Sequence, residues 1–328
     1  MRYRTLTDGT TTFDVSTLVL GTMNLGVTTD EDTSFAILDR YVEAGGTFLD
    51  TANNYGAWTP GHSDRASEQL LGRWFASRGL RDHVRLATKV GAGKKDPALP
   101  LSGTAPTNYE GLAATTIERS AEESLRTLGV EHLDVLYGHV DDLDTPLAET
   151  VGAFGKLQAD GVVGLTGISN VALWRVVEGR AEARRQGVPP YALVQQQSSY
   201  LYPVPDVDRH NWASPELYDY ARSVADDDGA ELAVVAYSPL LQGAFVRNDK
   251  PLWKGYDHPT SRARLGVLHD VARELGATPN QVALAWLLGG PAPALPIVGA
   301  SSVAQLDEAL GAVDLVLDDG ARARLDAV

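Results

Sequence analysis

Within FLDTANNYG, residues 48–56, an apolar strand ends on Asp50 and a phenol follows at Tyr55, with two asparagines between them. A buried aspartate is costly unless it is paired, so a partner is expected. Two further strand-like runs carry groups of complementary chemistry: LATKV holds Lys89 near its end, and LDVLYGH ends on His139. A free phenol has a pKa of about 10 and donates its proton reluctantly to a carbonyl oxygen at neutral pH. A neighbouring ammonium favours the phenolate, a carboxylate beside the ammonium keeps it charged and fixed, and an imidazole can orient a carbonyl. Lowering the phenol by about two pKa units, equivalent to about 2.7 kcal/mol, brings it toward a useful general-acid range. Singly, each residue has a plainer explanation: turn capping for Asp50, packing for Tyr55, a stem reaching water for Lys89, a satisfied polar group for His139. Gathered at one end of one sheet, they read as a unit.

The elements that must position them recur along the chain. After an N-terminal pair, RYRTL and TTFDV around the turn dipeptide Asp8-Gly9, come STLVLGTM, TFLDTA, VRLATKV, LDVLYGH, VGLTGIS, ALVQQQ, LAVVAYS and ALPIVGA. Helical patterns with three- and four-residue apolar spacing separate these runs, and EAGG, TLGV and ELGA place glycine where helices end. Strand–helix alternation without a composition break predicts a parallel sheet. Repeated through eight runs, it predicts a (β/α)8 TIM barrel with an N-terminal β-hairpin, one domain over residues 1–328. GTMNLG lacks the G-x-G-x-x-G spacing of an open dinucleotide-binding sheet. In such a barrel, strand ends and following loops carry the chemistry. The connections over 91–111 and 242–262 are long enough to be functional.

The chain has 328 residues, 28 basic and 43 acidic side chains and a formal charge of −15, which excludes nucleic acid and anionic membranes as main partners. With no cysteine, thiolate metal sites, disulfides and cysteine nucleophiles are excluded together. No apolar leader or spanning segment is evident, and a cytoplasmic enzyme is expected.

LGTMNLG, FLDTANNYG, LATKV, LDVLYGH, GISN, AYSPL and PIVGASSVAQLDEAL stand in the order found in the aldo-keto reductase family, which the chain resembles over nearly its whole length. The resemblance implies that Asp50, Tyr55, Lys89 and His139 form a catalytic tetrad with Tyr55 as proton donor, and that a small-molecule carbonyl is reduced. It also implies a nicotinamide cofactor across the barrel mouth, NADPH first and NADH as the other possibility. The implied cofactor contacts are Gly21, Thr22, Met23 and Asp50 on the first strands, then Ser169 and Asn170 at the carboxamide, with Gln195 or Gln197 beside them. Tyr237 would stack on the nicotinamide ring, with Ser238, Pro239 and Leu240 along the pyrophosphate. Gly299, Ala300, Ser301, Ser302, Gln305 and Glu308 would receive the adenosine end. No metal is implied.

Two departures from the family pattern bear on specificity. Ser301 and Ser302 stand where NADPH-preferring members often carry a cation, and Ala309 replaces an asparagine expected near the adenine. Hydroxyls and helix N-terminal amides can still bind phosphate. The chain ends at Val328 right after its last helical pattern, without the family's common C-terminal loop. Substrate shape is then expected to be read by Trp58 and the two long connections, including Trp253 and Tyr256, leaving room for bulky sugar or polyketide ketones.

Three other functions compete. A Schiff-base aldolase could use Lys89, although Asp50 would keep its amine protonated. A metal hydrolase could use His139 with Asp141 and Asp142, but the further histidines usual for such a site are missing. A cofactor-binding regulatory subunit would bind a partner without turnover, a reading that an intact tetrad disfavours.

Overall fold

The chain begins with β1 (Tyr3–Thr7) and β2 (Thr12–Ser16), an antiparallel pair in the register Tyr3↔Ser16 to Thr7↔Thr12. The turn is wider than the Asp-Gly pair alone. Asp8 Oδ1 accepts from the amides of Thr10 and Thr11 at 2.8 and 2.7 Å, so its side chain organises the whole reversal. A computed structural model describes residues 1–99, 101, 108–204, 211–224, 229–247, 249, 251–290 and 293–328.

Eight parallel strands then close a barrel: β3 (Val19–Gly21), β4 (Phe48–Asp50), β5 (Arg85–Val90), β6 (Leu133–Gly138), β7 (Val163–Ser169), β8 (Leu193–Gln197), β9 (Ala233–Tyr237) and β10 (Leu295–Val298), which returns to β3. Helices α1 (Glu31–Glu43), α2 (Ala66–Arg78), α3 (Ala114–Leu128), α4 (Leu147–Ala159), α5 (Leu173–Gln186) and α6 (Pro215–Ser223) connect successive strands. Two helices, α7 (Pro259–Leu275) and α8 (Pro279–Leu288), lie between β9 and β10, and α9 (Val303–Leu310) and α10 (Asp319–Asp326) follow. This is the expected TIM barrel with its hairpin. No helix among the described residues is long and apolar enough to cross a membrane.

Strand side chains alternate between faces, and the alternation sorts polarity along the barrel axis. Inward positions low in the strands are apolar: Val19, Phe48, Ala87, Val135, Leu165, Leu193, Val235 and Leu295 pack together, and Leu6 and Val15 of the hairpin join them from below. Two residues further up the same strands stand Asp50, Lys89, Tyr137, Gly167, Gln195 and Tyr237. Gly167 is required there, because a Cβ would lie 2.5 Å from the Tyr137 ring. The outward faces pack on the helices in a second, larger cluster that includes Leu20, Leu49, Leu86, Leu136 and Val194.

Both long connections lie at the strand ends, with residues 100, 102–107, 248 and 250 outside the described segments. In the first, Lys94 and Tyr109 form an antiparallel bridge, and the Asn108 side chain bonds the backbone of Asp96 and Leu99. In the second, 3₁₀ turns at Leu241–Gly243 and Lys254–Tyr256 precede α7.

Candidate active site

Asp50, Lys89 and His139 come from adjacent strands, and Tyr55 reaches over them from the loop after β4. The Lys89 ammonium donates to Asp50 Oδ1, to the Thr51 carbonyl at 2.8 Å and to the Tyr55 phenol oxygen at 3.0 Å. All three N–H bonds of an ammonium are thereby engaged. The other carboxylate oxygen of Asp50 accepts from Gln195 Nε2 at 2.8 Å. Asp50 is 2% exposed, so both its oxygens are satisfied inside the barrel, which removes the penalty its burial would otherwise carry. The His139 ring lies edge-on to Tyr55 with centroids 5.9 Å apart, and Trp58 packs edge-on to the same ring, also at 5.9 Å.

The electrostatics correct one expectation. Burial pushes the Tyr55 phenol above its ordinary value, and the pull of Lys89 in the opposite direction is partly cancelled by Asp50. The phenol is therefore not lowered in the free protein, because desolvation of the phenolate outweighs the ammonium beside it. It remains fully protonated at neutral pH. For Lys89, burial opposes the charge, but Asp50 and Tyr55 outweigh it and hold the ammonium above the usual lysine range. Burial, helped by Lys89, holds His139 well below the usual imidazole range, so the ring is neutral.

The two asparagines of FLDTANNYG are buttresses. Asn53 donates to Glu110 Oε1 at 2.9 Å, and Asn54 donates to the Ala92 carbonyl at 2.9 Å, tying the Tyr55 loop to the connection after β5. Glu110 also accepts from Gly91 N, Gly93 N, Arg119 and Ser120. Sequence reasoning missed this hub, since one carboxylate ahead of a helix has no periodic signal. Gly56 lets the chain turn after the phenol: its φ is 137°, and a Cβ would meet the Ser63 carbonyl at 2.1 Å. Asp141 and Asp142, candidate metal ligands with His139, are turned instead to Arg175 and to the Leu112 amide and Thr145 hydroxyl.

Around this centre the residues expected at a cofactor are partly brought together. Asn170 follows β7 at φ 55° and Ser238 follows β9 at φ 52°, left-handed conformations uncommon for non-glycine residues. Asn170 Nδ2 donates to the His139 carbonyl at 2.8 Å and to Ser169 Oγ at 3.1 Å, and its Oδ1 accepts from Tyr237 Oη at 2.7 Å. The backbone of Asn170 is held by Gln196, whose Oε1 accepts its N–H at 2.8 Å. Gln196 lies on the outer face of β8 and was not singled out in the sequence. Gln195 and Gln197 share the inner face; Gln195 engages Asp50, whereas Gln197 Nε2 is buried without a hydrogen-bond partner.

Thr22 is fully buried, and its hydroxyl bonds the Asp50 carbonyl and Ser67, so its side chain supports the strand end. Gly21 is packed against Ile297, while Met23 is 42% exposed at the mouth. Pro239 accepts from Ser199 Oγ through its carbonyl, and Leu240 packs under the same loop. At the far end Ser302 caps α9, the amide and hydroxyl of Ser301 both bond Gln305 Oε1, and Glu308 accepts from Asn280. Gly299 is exposed with open space where a Cβ would stand, and Ala300 beside it is buried. These features suit a nicotinamide dinucleotide: an unpartnered buried amide at Gln197, two strained strand ends and an open glycine before a helix N-terminus. Of the aromatic residues expected to shape the substrate, Trp58 is exposed. Tyr256 is turned into a cluster with Leu241 and Phe245, and Trp253 packs edge-on against it.

The model of the Aldo/keto reductase family matches residues 17–328. An uncharacterised oxidoreductase of Bacillus subtilis, YrpG, is 35% identical over 320 residues, covering 94% of this chain and 91% of the relative. Norsolorinic acid reductase stcV of Emericella nidulans is 30% identical, with 93% and 76% covered. An aryl-alcohol dehydrogenase [NADP(+)] of Phanerodontia chrysosporium is 28% identical, with 92% and 80% covered. With the family model spanning the whole barrel that holds Asp50, Tyr55, Lys89 and His139, the chain belongs to the aldo/keto reductase family.

Proposed function

We propose that the protein is an NAD(P)H-dependent carbonyl reductase that converts an aldehyde or ketone to an alcohol, with Tyr55 as proton donor and NADPH as the preferred cofactor. One observation carries the reading. Lys89 donates to the phenol oxygen of Tyr55, so that oxygen is an acceptor there and its own O–H is free to point away, toward the mouth. A reduced nicotinamide, when bound, supplies the hydride. Tyr55 donates its proton to the carbonyl oxygen, and Lys89 stabilises the phenolate left behind. Neutral His139 hydrogen-bonds the same oxygen and orients it. Asp50 keeps Lys89 charged, and Trp58 shields the phenol on its outer side. Ser169, Asn170 and Gln195 or Gln197 would hold the carboxamide, Tyr237 the ring, and the 299–308 segment the adenosine end.

The substrate is a small-molecule carbonyl, and the exposed Trp58 beside Tyr55 suits a bulky one such as a polyketide or sugar ketone. The names of the norsolorinic acid reductase and the aryl-alcohol dehydrogenase [NADP(+)] among the relatives support an aromatic substrate and NADPH. The whole of 1–328 acts as one catalytic domain, in the cytoplasm. The aldolase reading is weakened because a lysine held protonated by Asp50 is a poor nucleophile. NADPH and NADH oxidation against a panel of aldehydes and ketones tests the proposal. Turnover with at least one aromatic carbonyl is expected; cofactor binding without turnover on any of them would favour the regulatory-subunit reading.

A further inference from the structure

The bond between Gln195 and Asp50 crosses the barrel. In the strand order β10-β3-β4-β5-β6-β7-β8-β9, Asp50 on β4 and Gln195 on β8 are four places apart in a ring of eight, on opposite walls. The 2.8 Å contact therefore draws two side chains together over the barrel axis, and each residue is only 2% exposed. No water-facing geometry competes for either group. Asp50 thus divides its carboxylate, one oxygen to the cation on β5 and the other to a neutral amide on β8.

We propose that Gln195 is a positioning residue of the tetrad, independent of any contact it makes to a cofactor. Its amide fixes the plane of the Asp50 carboxylate, so that a single oxygen faces Lys89 and the ammonium keeps its third N–H on the Tyr55 phenol. Without that amide, Oδ2 is buried and unsatisfied. The carboxylate then turns to take Lys89 with both oxygens, and the ammonium is drawn off the phenol. The other N–H of Gln195 faces the Tyr137 phenol, and its carbonyl oxygen is left, so holding Asp50 does not prevent that oxygen from also reaching a carboxamide. The ionisable groups that face this assembly are Lys89 on β5, Tyr137 and His139 from β6, and Tyr237 on β9. Tyr137 is buried and Tyr237 half-buried, both with raised values, and the imidazole is neutral, so Lys89 and Asp50 are the charges that decide the phenol's acidity.

The test uses two near-isosteric variants and two readouts. In cofactor-free protein labelled with ¹³C at the tyrosine Cζ, the Tyr55 signal is assigned by its loss in Tyr55→Phe and titrated with pH. Gln195→Met, which keeps the volume and loses the donor, is expected to move that titration upward by about one pH unit. At saturating cofactor its kcat is expected to fall by about tenfold. In Gln195→Glu a protonated carboxyl can still donate to Asp50, so its kcat should approach that of wild type at low pH and fall as the shared proton is lost. An unmoved Tyr55 titration in Gln195→Met, with only the cofactor dissociation constant raised, would reduce Gln195 to a cofactor contact. If Gln195→Met fails to fold, Gln195→Glu decides: a pH profile overlaying that of wild type overturns the proposal. The kcat readouts rest on the carbonyl-reductase reading, but the titration needs no turnover, so failure of one is distinguishable from failure of the other.

Discussion

The Lys89 ammonium stands 3.0 Å from the Tyr55 phenol oxygen and at the same time in contact with Asp50. Three donors meet three acceptors, with the Thr51 carbonyl at 2.8 Å completing the set. This arrangement gives Lys89 two roles: it neutralises a carboxylate that could not otherwise be buried, and it fixes which way the phenol proton points. Structure and chemistry are carried by the same side chain.

Lys89→Met should therefore damage both. Removing one partner of a buried ion pair leaves Asp50 uncompensated, a loss of about 3–5 kcal/mol of stability. Denaturant unfolding of wild type and variant measures it, and most carbonyl-reducing activity should vanish in the fraction that folds. Borohydride treatment of the wild type with a carbonyl compound should leave no adduct on Lys89. A reduced imine at that residue by mass spectrometry would contradict the reductase mechanism.

The pH dependence follows from the directions of the shifts. Tyr55 is held above about 10 by burial, so reduction at saturating cofactor should keep its proton donor to about pH 9. An alkaline fall in kcat centred below that range, and removed with Tyr55, would contradict the raised value of the phenol. His139 is depressed well below its unfolded value of about 6.5, so the unfolded chain takes up a proton there before the folded one does. The stability it contributes is present above about pH 6.5 and lost as pH falls toward the folded value. Denaturation midpoints of wild type and His139→Gln should accordingly draw closer on acidification.

Much of this was legible in the sequence, and the misses have physical causes. All eight barrel runs fall where the apolar patterning put them, because strands buried on both faces leave an unmistakable apolar run, and the hairpin falls where its turn dipeptide put it. The residues Asp50, Tyr55, Lys89 and His139 converge as expected. The direction of the phenol's shift was wrong, since a residue list shows the charges around a group but not how completely water is removed from it. Glu110 and Gln196 were invisible for a related reason: each acts through buried hydrogen bonds to backbone amides of distant segments, and such bonds impose no spacing on the chain. The hydroxyl of Thr22 is bonded to Ser67 and the Asp50 carbonyl, a support of the strand end that the sequence did not show.

On the proposed reading, cofactor choice would turn on Ser301, which is exposed at the start of the α9 segment with its amide and hydroxyl bonded to Gln305. A charge-assisted hydrogen bond to phosphate is about twice as strong as a neutral one, and losing one such contact costs about tenfold to a hundredfold in discrimination. NADPH should be preferred over NADH by a modest margin, and Ser301→Arg should widen it. High salt should narrow the gain again, because an exposed ion pair is screened. An unchanged ratio of the two kcat/KM values would mean that Ser301 does not face the 2′-position.

Tyr55→Phe tests the central claim most directly, with kcat for carbonyl reduction and the NADPH dissociation constant measured on the same preparation. The substitution removes one hydroxyl, leaves the ring contacts with Trp58 and His139 in place, and keeps the Lys89–Asp50 pair. A loss of about a hundredfold or more in kcat, with the dissociation constant close to that of wild type, is the predicted result. Retained turnover, or an equal loss of cofactor binding, would contradict Tyr55 as the proton donor.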